Sequence, residues 1–262
     1  MSSNPFYQAT VTPNFALGHL IQWKIDPMFM ETEPYTYTVE VSGTPDFSEI
    51  VYTLDVEAPY FTLDKTNFRQ ANYVDMYYRV KLVTSDNNIY YSRTMIFGSM
   101  LEKRRPYRIA TEIVRKEFLR LTRYAGVDAY LLKRKAFGEV RKDEVDPISG
   151  VPITDNVTHY GTGIVGGYFD PLKIWCSYED GSYTRTLDQA GMGVNDVMDV
   201  SLRMIGYPSV ETHDVIADTI GDARFIIKKV TPTYFPGTSI CIVQKLEASY
   251  IPNTDPIYKI KV

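Results

Sequence analysis

The chain has 262 residues, of which 44% are hydrophobic and 23% charged, and its formal net charge is −4. That composition excludes a wholly disordered polymer and is enough for one large domain or two smaller ones. No run reaches the ~18 apolar residues of a membrane-spanning helix, and Met1-Ser2-Ser3-Asn4-Pro5-Phe6 has neither the basic start nor the apolar stretch of an export signal.

Residues 1–101 read as strands with one wet face. Ile21, Trp23 and Ile25 alternate with polar positions, as do Tyr35, Tyr37, Val39 and Val41, and later Met76, Tyr78, Val80 and Leu82. Turn signals at Asp26-Pro27, Ser42-Gly43-Thr44-Pro45, Ala58-Pro59 and Ser85-Asp86-Asn87-Asn88 separate them. Short strands at this spacing predict an immunoglobulin-like sandwich. The layout, with a tryptophan on an early strand and YYRVKL on a late one, resembles a fibronectin type III domain, a fold that implies no chemistry by itself.

Residues 102–125 are expected to be a linker helix, spanning 103–123. Pro106 suits a first turn, Ala110, Ile113, Val114, Phe118 and Leu121 form one apolar stripe, and Gly126 is placed to end it. The segment 103–142 holds 13 of the 28 lysines and arginines and only four acids, a net +9 that leaves −13 on the rest of the chain. Such an asymmetry has three readings: a solvated helix face, a contact with an acidic protein surface, or a contact with nucleic-acid phosphates. No base-reading motif accompanies it, so a DNA contact would be to the backbone.

Residues 126–262 read as a second β domain, a small barrel with strands near 129–135, 172–175, 197–204, 223–230 and 240–247 and a long glycine-rich arm over 138–170. Cys176 and Cys241 are expected as free buried thiols. The fold class predicted for the whole is therefore mainly β: sandwich, connecting helix, barrel.

Two motif tests bear on chemistry. Gly161-x-Gly163-x-x-Gly166 matches a dinucleotide fingerprint on paper, but Pro171 stands where the required helix should run and no apolar strand leads in, so a tight loop is expected instead. His19, His159 and His213 sit in no hydrolase, metalloprotease or phosphate-loop motif, and His213 is expected in a turn or at the surface. Asp143, Glu144 and Asp146 fit a solvated loop as well as a cation site. No catalytic role is expected.

Taken in order, NPFYQATVTPNFALGHLIQWKI, VSGTPDFSEIVY, YYRVKL, EIVRKEFLRLTRYAGVDAYLLKRKAFGE, YGTGIVGGYFDP and IVQKLEASYIPNTDPIYKI resemble the neck, or head-to-tail connector, proteins of tailed bacteriophages. RYAGVDAYLLKRKAFGE followed by YGTGIVGGY is the most specific part and looks like the start of the small barrel of head-closure proteins. The resemblance implies a homo-oligomeric ring in the virion, assembled in the bacterial cytoplasm between portal or adaptor and tail, sealing the DNA channel, with sequence-independent contact to DNA open and no membrane partner. It makes Arg108, Arg115, Lys116, Arg120, Arg123, Gly161, Gly163, Gly166, Gly167 and Tyr168 the expected contacts with neighbours. It also implies a zinc knuckle, whose ligand positions fall on Arg141, Glu144, Asn156 and His159; with no thiolate there, the expectation is a knuckle-shaped loop without metal and a chain without cofactor. The reading from another class is a sandwich-type adhesion or carbohydrate-binding module.

Overall fold

The computed structural model describes residues 4–14, 18–29, 33–66, 76–97, 105–139, 158–179, 184–188, 195–219 and 221–262. The protein is mainly β and divides into two compact units. The first takes Met1–Arg115 with Ala136–Arg141 and Phe235–Ile240; the second takes Lys116–Lys135, Lys142–Tyr234 and Cys241–Val262.

The first unit is a sandwich of two antiparallel sheets. One has the order β1 (Phe6–Asn14), β2 (Gly18–Ile25), β5 (Phe61–Asp64). The other has the order β4 (Ile50–Asp55), β3 (Thr36–Ser42), β6 (Met76–Val83), β7 (Ile89–Tyr91), with β8 (Met95–Phe97) also on β6. The fourth strand lies beside the third and not beside the fifth, the fibronectin type III arrangement. The period-two pattern explains the layers: Ile21, Trp23 and Ile25 from one sheet and Tyr37, Val39, Val41, Tyr78, Val80 and Leu82 from the other are all buried. The Trp23 and Tyr37 rings meet across the layers at 5.8 Å. Each such aromatic or aliphatic side chain contributes about 1.5–3 kcal/mol when fully buried.

Two polar clusters are built into this unit. The fully buried carboxylate of Asp64 accepts from Tyr52 Oη (2.7 Å) and Tyr78 Oη (2.9 Å) on Oδ2 and from the Thr66 amide (2.9 Å) on Oδ1. Arg79 donates to Glu40 Oε2 at 2.6 Å and stacks between the Phe47 and Tyr91 rings, each 4.2 Å from its guanidinium carbon.

In the second unit, β9 (Val127–Leu132), β10 (Leu172–Tyr178), β12 (Asn195–Ile205), β13 (Val215–Asp218), β14 (Arg224–Tyr234) and β15 (Cys241–Tyr250) follow the path β10-β9-β13-β14-β15-β12. Pairing of Cys176, Ser177 and Tyr178 with Met204, Arg203 and Leu202 returns β12 to β10 and closes a six-stranded antiparallel barrel. β11 (Thr184–Asp188) extends the sheet from the N-terminal half of β12. The interior is a continuous apolar cluster that includes Leu131, Ile174, Leu202, Ile216, Phe225, Ile227 and Leu246.

Several element boundaries differ from the sequence expectation. The strand expected over 129–135 is Val127–Leu132, because Lys133 turns away into a buried ion pair and Arg134 bridges to Tyr168. β14 runs on through Pro232 to Tyr234, since Pro232 faces Gln244 in a ladder already irregular at Thr233/Tyr234. β11 and β13 were not expected at all; β13 is a four-residue insert between β9 and β14. Of the expected 138–170 arm, residues 138–139 and 158–170 are described, and 158–168 form a compact coil; 140–157 lie outside the described residues.

The helix, α1, is Arg105–Arg120, followed by a π-helical turn at Leu121–Ala125; residues 103 and 104 lie outside the described set. Ala110, Thr111, Val114 and Leu121 are buried, so the stripe holds, with Thr111 joining it and Ile113 and Phe118 only half-buried. Gly126 ends the helix, but not through a left-handed cap: its φ is −93°, and a Cβ there would lie 2.1 Å from the Leu121 carbonyl oxygen. Thr122 Oγ1 donates back to the Phe118 carbonyl at 2.9 Å, which loosens the last turn.

At the other end of the chain, a 3-10 turn at Pro256–Lys259 lies over Arg224. The buried Arg224 guanidinium donates to the carbonyls of Ile257, Tyr258 and Ile260 and lies against the Tyr258 ring.

Candidate interaction site

Two features carry the residues singled out from the sequence. On α1, a rotation of ~100° per residue puts Arg105, Arg108, Ile109, Glu112, Arg115 and Lys116 within about 120° of arc, opposite Ala110 and Val114. All six are exposed. Arg105, Arg108 and Arg115, with Arg123 beyond them, have no carboxylate partner among the described residues. Arg120 is different: it is half-buried and donates to both Glu117 oxygens, at 3.1 and 2.9 Å. Glu117 also takes Arg203 at 2.8 Å, and Arg203 and Lys245 both pair with Glu179, at 3.8 and 3.2 Å. Burial alone would raise the Glu117 carboxyl, but the Arg120 and Arg203 hydrogen bonds and charges hold it below the usual carboxylate range. Arg120 is thus committed to its own domain, whereas Arg105, Arg108, Arg115 and Arg123 are available to a partner.

The second feature is the glycine coil. Tyr160, Gly161, Gly163, Gly166 and Gly167 all have positive φ, between 49° and 79°. Four glycines are packed there because the chain takes the left-handed conformation repeatedly, which side chains resist. At Gly167 a Cβ would also meet the His159 carbonyl oxygen at 2.7 Å. The coil satisfies itself: the His159 carbonyl accepts from Thr162 N (2.9 Å) and Oγ1 (2.7 Å), Gly166 N donates to Thr158 O (2.8 Å), and Gly167 N to Ile164 O (2.9 Å). It is also clamped to the chain leaving β9. Lys135 N donates to Gly167 O at 3.0 Å, Phe169 N to Lys133 O at 2.9 Å, and Lys135 Nζ to Val165 O at 3.3 Å. Burial pushes the Tyr168 phenol up to about 12.

Behind the clamp lies a buried polar network that the sequence did not reveal. Lys133 Nζ sits 3.1 Å from Asp214 Oδ2 and donates to the Ser209 carbonyl; Asp214 also accepts from the Arg134 and Glu211 amides at 2.9 and 2.7 Å. Gln244 fixes the same loop through Val210 N and the Ile205 and Pro208 carbonyls. Burial pushes the Asp214 carboxyl up, while Lys133 and the two amides pull it the other way. His213 is exposed and in a turn, with φ 70°.

This geometry excludes the dinucleotide reading of the glycines. After Gly166 the chain bridges to Arg134 and enters β10, so no helix N-terminus stands where a pyrophosphate would need one. The zinc positions are not a fit either. Arg141, Glu144 and Asn156 lie outside the described residues, but arginine and asparagine side chains are not zinc donors. His159 is described and buried, and its Nδ1 accepts from the Gly161 amide at 3.1 Å, a bond that shapes the coil. Asp143, Glu144 and Asp146, the possible cation ligands of the arm, lie outside the described residues as well. Among the described residues no cluster of three or more His, Cys, Asp or Glu side chains could hold a metal ion, and no helix is long and apolar enough to cross a membrane. Cys176 and Cys241 are free thiols; burial pushes them up to about 12 and about 11, which keeps them protonated and unreactive.

The fold and these features together define a mainly-β protein of two units with a one-sided basic helix. No protein-family model matches the chain, and no curated protein matches it. Among solved structures it is similar to the pectate lyase Pel3 of Pectobacterium carotovorum, at 15% identity and a TM-score of 0.26, over 34% of this chain and 26% of that enzyme's. A likeness of that size carries no argument about fold or activity.

Proposed function

We propose that this chain is a structural protein of a tailed-bacteriophage virion, forming a ring in the neck that joins the DNA-filled head to the tail. The observation that carries the reading is the clamp. RYAGVDAYLLKRKAFGE and YGTGIVGGY, the tracts most like head-closure proteins, are separated in sequence, yet hydrogen bonds from the Lys135 amide to Gly167 O and from Lys135 Nζ to Val165 O join them into one feature at the start of the barrel. The role is non-catalytic. Its partners are other copies of the chain, the portal or adaptor on one side and the tail on the other. Size-exclusion mass and negative-stain images of the purified chain test it. Closed rings of several copies are the expected result; a monomer at all concentrations, in images and in solution, overturns it.

A further inference from the structure

The basic face of α1 has a counterpart in the same chain. Residues 42–57 contain Asp46, Glu49, Asp55 and Glu57 and no lysine, arginine or histidine. This hairpin arm is β4 and its approach, and β4 is the outer strand of its sheet among the described residues. Glu57 is paired with Lys65, but Asp46, Glu49 and Asp55 are exposed and have no cation partner among the described residues. Between them Ile50 and Val51 are also exposed, at 43% and 58%. An open strand edge normally invites pairing, and acids alone guard it against a second identical edge while admitting a basic surface. Helix α1 presents the complement: Arg105, Arg108 and Arg115, which have no carboxylate partner among the described residues, with Ile109 exposed at 40% beside them and Glu112 the one acid on that face.

From this we infer that the acidic β4 edge of one copy docks on the basic face of α1 of the next copy. The two surfaces differ, so the contact is heterologous and repeats from copy to copy until the rotation closes a ring. Two observations favour a second copy over nucleic acid. Phosphates would gain nothing from Ile109, Ile50 or Val51, which a protein interface desolvates. A duplex on α1 would also meet the net −13 carried outside residues 103–142. The inference deepens the proposed ring by naming its contact, and it rests on that reading for the assembly itself.

The test uses the full-length chain in sedimentation velocity and negative stain. One variant reverses the helix face (Arg105→Glu, Arg108→Glu, Arg115→Glu), and another reverses the edge (Asp46→Lys, Glu49→Lys, Asp55→Lys). All six positions are exposed, so both variants should fold, which circular dichroism and an unchanged melting temperature check. Each variant alone should assemble at least about tenfold more weakly than the wild type. An equimolar mixture should recover assembly, because each then offers the other a complementary surface. Assembly of the wild type should weaken at about 0.5 M salt, where screening shortens to roughly 4 Å. Wild-type rings with reversal variants that still assemble overturn the docking while leaving the neck reading intact. A wild type that never assembles overturns both. Unchanged rings together with lost retention of sheared double-stranded DNA by the helix variant make the face a nucleic-acid contact and overturn the inference.

Discussion

The cations behind the glycine coil and those on the outer face of α1 make a pointed contrast. Lys133 is buried, and its charge is met by Asp214 at 3.1 Å, Glu211 at 3.4 Å and a backbone carbonyl. Arg105, Arg108 and Arg115 are exposed and meet no carboxylate among the described residues. The first arrangement is set by desolvation: a buried charge must be compensated within the domain, whatever the function. Water imposes no such demand on the second, so these three arginines can stay exposed without a carboxylate among the described residues at little cost to the fold. Burial thus separates the cations that hold the fold from those open to a partner, although both lie in one basic tract of sequence.

Breaking the internal side should have the largest effect. Asp214→Ala removes the main carboxylate facing Lys133 and strands two amides; it is expected to cost about 3 kcal/mol in urea denaturation, because Glu211 compensates only in part. A cost under about 1 kcal/mol would mean that Lys133 finds water instead. Gly167→Ala comes next, at about 1–3 kcal/mol, since the left-handed backbone and the His159 carbonyl both oppose a Cβ. Gly221→Ala, with nothing within 4 Å of the new methyl, serves as the neutral control.

A smaller effect is expected in the pH dependence of stability. Glu117 is held below its ordinary carboxylate value in the folded protein, so its contribution is fully present above the unfolded-state value and is lost as pH falls through the folded one. Glu117→Gln should therefore flatten the acid limb of the stability profile and leave the neutral-to-alkaline part parallel to wild type. An acid limb of unchanged slope would remove Glu117 from the account. Smallest of all, Arg108→Ala and Arg115→Ala should each change stability by no more than about 0.5 kcal/mol, as groups without an internal role do. A loss well beyond that in thermal unfolding would erase the contrast between the two sets of cations.

Much of the fold was legible because period-two patterns need only local sequence. Trp23, Val39, Tyr78 and Val80 all fall on the inner faces that the alternation implies. The helix and its stripe were equally plain, and so was the tight loop, because glycine clusters answer to backbone geometry within a few residues. What stayed hidden depends on distant partners. Asp214 lies 81 residues from Lys133, and nothing in Tyr207–Asp214 marks a carboxylate destined for burial. β13 escaped because four residues hold too short a pattern, and its place between β9 and β14 comes from barrel closure. The candidate site divides the same way. The arginines of α1 were visible as a charge excess, but only the structure shows that Arg120 belongs to Glu117. The acidic edge was not singled out from the sequence, because 16 residues without a base take on meaning only once β4 proves to be an outer strand among the described residues.

The arginine beneath the closing turn also sets a constraint during synthesis. Carbonyls that satisfy Arg224 come from residues 33 to 36 positions later in the chain. At translation rates of about 5–20 residues per second, several seconds separate the arrival of this guanidinium from that of its acceptors. Over that interval β14 can be complete while its first residue still holds a charge that the barrel wall cannot bury. Arg224 must therefore stay hydrated until Ile257 and Ile260 emerge, so that part of the barrel seals only after the segment that follows β15 has been made.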